Sequence, residues 1–135
     1  MRANQSLKIV LVDDDPMVLY SLASLFQSKG HSVLTYDNPL ACPIFTQPHG
    51  SCFPDSTCPD IIIADFDMPE VNGTKFIETV FKKGCKCQHV ALLTGVGIPD
   101  CDMRRLAQYG TRFFTKPLDF SEFNAWVMVR EKTSF

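Results

Sequence analysis

Ile9-Val10-Leu11-Val12-Asp13-Asp14-Asp15-Pro16 is a four-residue apolar run that ends on three carboxylates and a proline. A run with no polar alternation suits a strand covered on both faces, which is the habit of parallel sheets flanked by helices. The residues after it suit a helix start, with Asp15 as N-cap and Pro16 in the first turn. A stripe of Val18, Leu22, Leu25 and Phe26 follows, and Gly30 stops it.

The pattern repeats along the chain. Strands are expected near 7–12, 32–36, 60–65, 89–94 and 111–115. Asn38-Pro39 opens a short second helix, Gly84 closes the third, and Pro99 and Gly110 bracket the fourth. The last helix starts at Asp119, with Glu122 placed to complete a capping box. Five βα repeats predict an α/β fold, an open doubly wound parallel sheet with helices on both faces. The expectation is one domain over 1–135, its core spanning 6–131, with no output domain after Val127-Met128-Val129-Arg130-Glu131-Lys132.

Composition sets bounds on function. The 135 residues are 45% hydrophobic, enough for one core. Thirteen basic and 15 acidic residues give a formal charge of −2, and the one basic cluster is Lys82-Lys83-Gly84-Cys85-Lys86. That disfavours direct nucleic-acid binding through a basic face. The polar start Met1–Ser6 lacks a signal-peptide apolar region, and no apolar stretch approaches bilayer length. A cytoplasmic protein with no membrane insertion is the expectation.

Four strand ends carry different chemistry: Asp13-Asp14-Asp15, then Asp65, then Thr94, then Lys116. In doubly wound sheets the ligand lies beyond the carboxyl ends of the strands where their order reverses, and in the order 2-1-3-4-5 this falls between strands one and three. Those two strands end in Asp13/Asp14 and Asp65. Clustered carboxylates repel unless a cation sits among them, and oxygen-only ligands with open positions suit Mg²⁺. Thr94 adds a hydroxyl donor and Lys116 a point charge. Such a set stabilises a phosphoryl group in transfer, with one carboxylate as nucleophile. Singly, each residue has a plainer use: a cap, a turn, a solvated strand end or, for Phe113, core.

Over nearly its whole length the chain resembles the receiver domain of two-component response regulators. The resemblance rests on Asp13-Asp14, on Asp65-Phe66-Asp67-Met68-Pro69-Glu70-Val71-Asn72-Gly73, on Thr94-Gly95 and on Lys116-Pro117. It implies a flavodoxin-like fold and a phosphoacceptor rather than an enzyme. By resemblance Asp65 takes the phosphoryl group from a histidine kinase or phosphotransfer protein. Asp13, Asp14 and the backbone carbonyl of Asp67 complete the Mg²⁺ set with Asp65. Thr94, Gly95 and Lys116 bind the phosphoryl group, Thr94 and Phe113 form the switch, and Lys116-Pro117 is cis. The signal then passes to another protein through helix four, strand five and helix five, where Met103, Leu106, Tyr109, Phe120, Phe123 and Trp126 lie. Asp67 puts a fourth carboxylate at the rim, which disfavours hydroxide-like water, and Val96, two after Thr94, offers no polar group to orient it, so slow self-hydrolysis is expected.

Six cysteines are unusual for such a module. Cys42, Cys52, Cys58, Cys85 and Cys87 fall at the amino ends of the strands, with His49 and His89 near them in sequence, while Cys101 should stand alone at the start of helix four. A structural Zn²⁺ site, disulfides and unligated packing thiols are all open readings. Two other functions are weighed. Asp65-x-Asp67 resembles the motif of haloacid-dehalogenase-type phosphohydrolases, but Pro69 and the position of the acidic pair disagree with it. A metal- or redox-sensing interaction module with a vestigial pocket is the third.

Overall fold

The computed structural model describes residues 6–46 and 58–132. Val, Ile and Leu runs become β1 (Lys8–Val12), β3 (Ile61–Asp65) and β4 (Val90–Thr94), whose residues are buried on both faces apart from Lys8. The shorter, more polar runs become the edges β2 (Ser32–Tyr36) and β5 (Arg112–Thr115), which are only partly covered. All four pairings are parallel and the order is β2-β1-β3-β4-β5. The fold is therefore the expected doubly wound, flavodoxin-like sheet.

Alternation along the central strands divides the core in two. Val10, Val12, Ile62, Ala64, Val90 and Leu92 face one side, where Phe76, Ile77, Val80 and Leu106 cover them. Ile9, Leu11, Ile61, Ile63, Ala91 and Leu93 face the other, covered by Leu22, Phe26, Phe123 and Val127. The helices that supply these covers are α1 (Pro16–Ser28) and α5 (Phe120–Lys132) on the second face, and α3 (Gly73–Lys82) and α4 (Asp100–Ala107) on the first. No helix among the described residues is long and apolar enough to cross a membrane.

Local signals act as expected at most helix ends. Asp15 Oδ1 accepts the Met17 N–H at 2.9 Å, and Gly30 takes φ +86° where the chain leaves α1. Asn38-Pro39 opens a 3-10 turn, Pro39–Ala41, and the α-helix α2 that follows spans only Pro43–Thr46. At α5 the box is half made. Asp119 Oδ1 accepts the Glu122 N–H at 3.2 Å, but the Glu122 carboxylate lies 3.5 Å from Arg112 Nη2. The opposite charge of Arg112 on β5 draws it outward.

Helices α3 and α4 are joined by contacts between residues far apart in sequence. Thr74 donates to Asp102 Oδ2 at 2.7 Å. Glu78, nearly buried, takes a two-pronged bond from Arg105, and Phe81 stacks on Tyr109 with ring centres 4.7 Å apart. The three α3 residues share one face at helical spacing, so both α4 and the turn that follows it are held against α3.

Candidate functional site: an acidic pocket at the carboxyl ends of the strands

β1 and β3 are neighbours, so their carboxyl ends bring Asp13, Asp14 and Asp65 together. One carboxylate oxygen from each lies within 4.8 Å of the others. Asp13 and Asp65 are buried, at 3% and 4% exposure, and Asp14 is exposed. Asp13 is held by its own turn, accepting the Asp15 N–H at 2.8 Å. Opposite stands Lys116, whose Nζ is 3.0 Å from Asp13 Oδ2 and 3.4 Å from Asp65 Oδ1. Lys116 is positioned by a backbone bond from its N–H to the Thr94 carbonyl at 2.8 Å, and the peptide bond to Pro117 is cis.

Burial sets the electrostatics. It pushes the Asp65 carboxyl up from 3.8 to about 7, helped by the charge of Asp13 and opposed by Lys116. Burial likewise raises Asp13, against the Asp15 N–H and Lys116. Burial alone would lower Lys116, but its two carboxylate partners outweigh that and hold the ammonium above its ordinary range. The pocket thus carries more negative charge than one lysine neutralises. An all-oxygen, partly open donor set of this kind fits Mg²⁺, and Asp13, Asp14 and Asp65 are the side chains that would hold it.

The remaining site residues sit around this cluster. The Asp67 N–H lies 3.4 Å from Asp65 Oδ1, and Asp67 itself is exposed at the rim. Thr94 is 2% exposed and its hydroxyl is engaged by its own loop, accepting from Gly97 N at 3.0 Å and Val96 N at 3.3 Å. Gly95 follows it, exposed, and Phe113 is half-buried against the first-face core.

Gly73 is a site-shaping residue whose role the motif alone did not disclose. A Cβ there would meet Leu92 Cδ2 at 2.7 Å, the Asp65 carbonyl at 2.8 Å and Phe66 Cα at 2.9 Å. Its N–H donates to the Phe66 carbonyl at 2.9 Å, so the start of α3 rests directly on the end of β3. Its place at the end of the 65–73 segment, after the Asn72 cap, is its sequence signal.

The thiols behave differently. Among the described residues the only group of three or more metal-ligating side chains brought together is Asp13, Asp14 and Asp65; the zinc reading finds no such set in Cys42, Cys58, Cys85, Cys87 and His89. Cys52 and His49 lie outside the described residues. Cys42 and Cys87 are buried in the first-face core with Cys85 packed against it. His89 Nε2 donates to the Trp126 carbonyl, 2.7 Å away, and the imidazole stacks on that indole. Cys101 is exposed on the first turn of α4, at the pocket end.

A doubly wound sheet with an acidic, cation-accepting pocket at its switch point defines a class of α/β proteins that handle phosphoryl groups. Residues 9–127 match the family model described as the response regulator receiver domain, and the chain belongs to that family. Receiver domains are phosphoacceptor modules of two-component systems that bind Mg²⁺ at an acidic pocket. Among curated proteins the chain is similar to Protein PilH of Pseudomonas aeruginosa, 25% identical over 113 residues that cover 83% of this chain and 87% of that one. A response regulator receiver domain protein from Clostridium thermocellum superposes with a TM-score of 0.68 at 26% identity, over 93% of this chain and 94% of the other. A receiver protein from Pseudomonas putida gives 0.74 at 15% identity, over 94% and 99%, which speaks for the fold.

Proposed function

We propose that this chain accepts a phosphoryl group from a histidine kinase or phosphotransfer protein onto Asp65 and relays the signal by a change of shape. The observation that carries this is the geometry of Lys116, whose ammonium lies 3.0 and 3.4 Å from the carboxylates of Asp13 and Asp65. A buried carboxylate beside a fixed cation and an acidic cluster is a nucleophile with counter-charge already in place. Mg²⁺, when bound, supplies Lewis-acid neutralisation of the phosphoryl oxygens. Asp13, Asp14, Asp65 and the Asp67 carbonyl would hold it, and Lys116 would stabilise a phosphoryl oxygen on the other side. The exposed groove beside Lys116, walled by Met17, Val18, Leu22, Pro117, Leu118 and Phe120, offers an apolar seat to the phosphodonor protein.

The new anion competes for the Thr94 hydroxyl. Thr94 gives up its bonds to the 96–97 loop and turns toward Asp65, and the half-buried Phe113 follows into the space it leaves. The altered face is that of α4, β5 and α5. There Met103 and Phe120 are 38% and 57% exposed, whereas Leu106, Phe123 and Trp126 are core. Val96, 84% exposed, has no side-chain group to orient water, and Asp67 places an anion at the rim. Self-dephosphorylation is slow as a result, with label persisting for minutes or longer.

Phosphotransfer profiling tests the reading. A set of autophosphorylated kinases is offered to the wild-type chain and to Asp65→Asn. Rapid transfer from one kinase to the wild type alone is expected. Transfer to neither, or equal transfer to both, contradicts the assignment. Turnover of a small phosphate ester would favour a phosphohydrolase instead.

A further inference from the structure

We infer that Cys58 and Cys85 form a reversible dithiol–disulfide pair at the amino end of the sheet, an oxidation site separate from the acidic pocket. Cys58 Sγ accepts the Lys86 N–H at 3.3 Å. That nitrogen is joined to the carbonyl carbon of Cys85, so the sulfur lies within about 5.7 Å of Cys85 Cα by peptide geometry. Neither residue is in a strand or helix; Cys85 packs against the first-face core, and rotation of the exposed Cys58 about its Cα–Cβ bond carries its sulfur toward that side chain. Cys58 is exposed and Cys85 half-buried, so an oxidant reaches the first and the second is sheltered beside it.

The neighbouring thiol is a poorer partner. Cys87 is 5% exposed, and its sulfur faces the Asp60 and His89 carbonyls at 3.5 Å each. Burial pushes that thiol up to about 12, and a thiol that keeps its proton is a weak nucleophile.

With a hydroperoxide as oxidant the step balances. The Cys58 thiolate attacks the peroxide O–O bond, giving a sulfenic acid and releasing one water or alcohol. The Cys85 sulfur attacks the sulfenic sulfur, the S–O bond breaks, and the hydroxide leaves as water with the second proton. Two thiols supply two electrons and the peroxide takes both. A low-molecular-weight thiol reverses the reaction by exchange. The bond ties the segment before β3 to the segment before β4, and it acts whether or not Asp65 accepts a phosphoryl group.

The test uses the reduced full chain treated with a few equivalents of hydrogen peroxide, followed by alkylation, proteolysis under non-reducing conditions and mass spectrometry of linked peptides. The expected result is a dominant intramolecular Cys58–Cys85 link that disappears on adding dithiothreitol, is lost in Cys58→Ser and in Cys85→Ser, and survives in Cys87→Ser. A dominant link from Cys58 to Cys42, Cys52 or Cys87 overturns the assignment. So does conversion of Cys58 to sulfinic acid with no link formed. Mapping on the wild-type chain decides the matter even where a variant folds poorly.

Discussion

At the carboxyl ends of the strands carboxylates and a lysine gather into a charged pocket, whereas the thiols nearer the amino ends form no comparable group among the described residues. At the carboxyl ends, Asp13 and Asp65 stand on adjacent parallel strands and are buried, and Lys116 is close enough to touch both. Toward the amino ends, Cys58, Cys85 and Cys87 part company: Cys87 sinks into the core, Cys85 packs against it and Cys58 is exposed, while Cys42, expected with them, is buried just after the 3-10 turn that lines the rim beside Asp14. Register explains the difference. A side chain on the last residue of a strand inherits a direction from the ladder, whereas thiols on connecting segments are directed by whichever apolar surface lies nearest. Cysteine also packs readily as a small hydrophobe, which a carboxylate cannot do.

If the carboxyl end is a phosphoryl cradle, the Lys116 ammonium has the largest effect. Lys116→Met should lower the rate of phosphoryl uptake from a small acyl-phosphate donor about a hundredfold or more, measured by gel or mass assay at saturating Mg²⁺. A loss under threefold would mean that the lysine only neutralises a strand end. Next comes the floor of the pocket. Gly73→Ala forces a methyl group against the Asp65 carbonyl and Phe66 Cα, which are backbone atoms that cannot step aside. A loss of about 2–3 kcal/mol in urea unfolding is expected; an unchanged midpoint would show that α3 does not bear on β3 so tightly.

A smaller effect comes from charge. The Asp65 carboxyl keeps its proton up to about pH 7 in the fold, against 3.8 for an ordinary one. A raised acid stabilises the fold fully below the lower value and loses that contribution as pH rises toward the higher. In chelator, wild-type stability should therefore decline between about pH 4 and pH 7. Asp65→Asn should be the more stable protein at pH 8, the gap closing toward pH 4. Parallel pH profiles for the two proteins would remove the argument from charge crowding. Smallest of all, Cys58→Ser in reducing buffer should change stability by less than about 0.5 kcal/mol. A larger loss would mean that the amino end is a built site in its own right.

The same contrast marks how far the sequence could be read. Strand positions, topology and the pocket were legible because continuous apolar runs and the groups that end them are local signals, and Asp13, Asp65, Thr94 and Lys116 each close a run. The thiols were not legible in the same way. Their spacing was compatible with several arrangements, and burial, which decides among them, depends on surfaces distant in sequence. Glu78 with Arg105 and Thr74 with Asp102 were invisible for that reason also, since each pair unites two helices through polar residues that read as ordinary helix surface. The role of Gly73 needed the position of Leu92, a residue nineteen places further along the chain. Glu122 shows the converse, a local motif half overruled by Arg112 across space.

The account rests on Asp65 as the nucleophile of a magnesium-dependent pocket. Incubating the purified chain with a small acyl phosphate, with Mg²⁺ or with chelator, and then mapping the modified residue after borohydride trapping tests this directly. One phosphoryl group on Asp65, present with Mg²⁺ and absent with chelator, is the predicted result. Modification at another residue, or labelling indifferent to the cation, would contradict it.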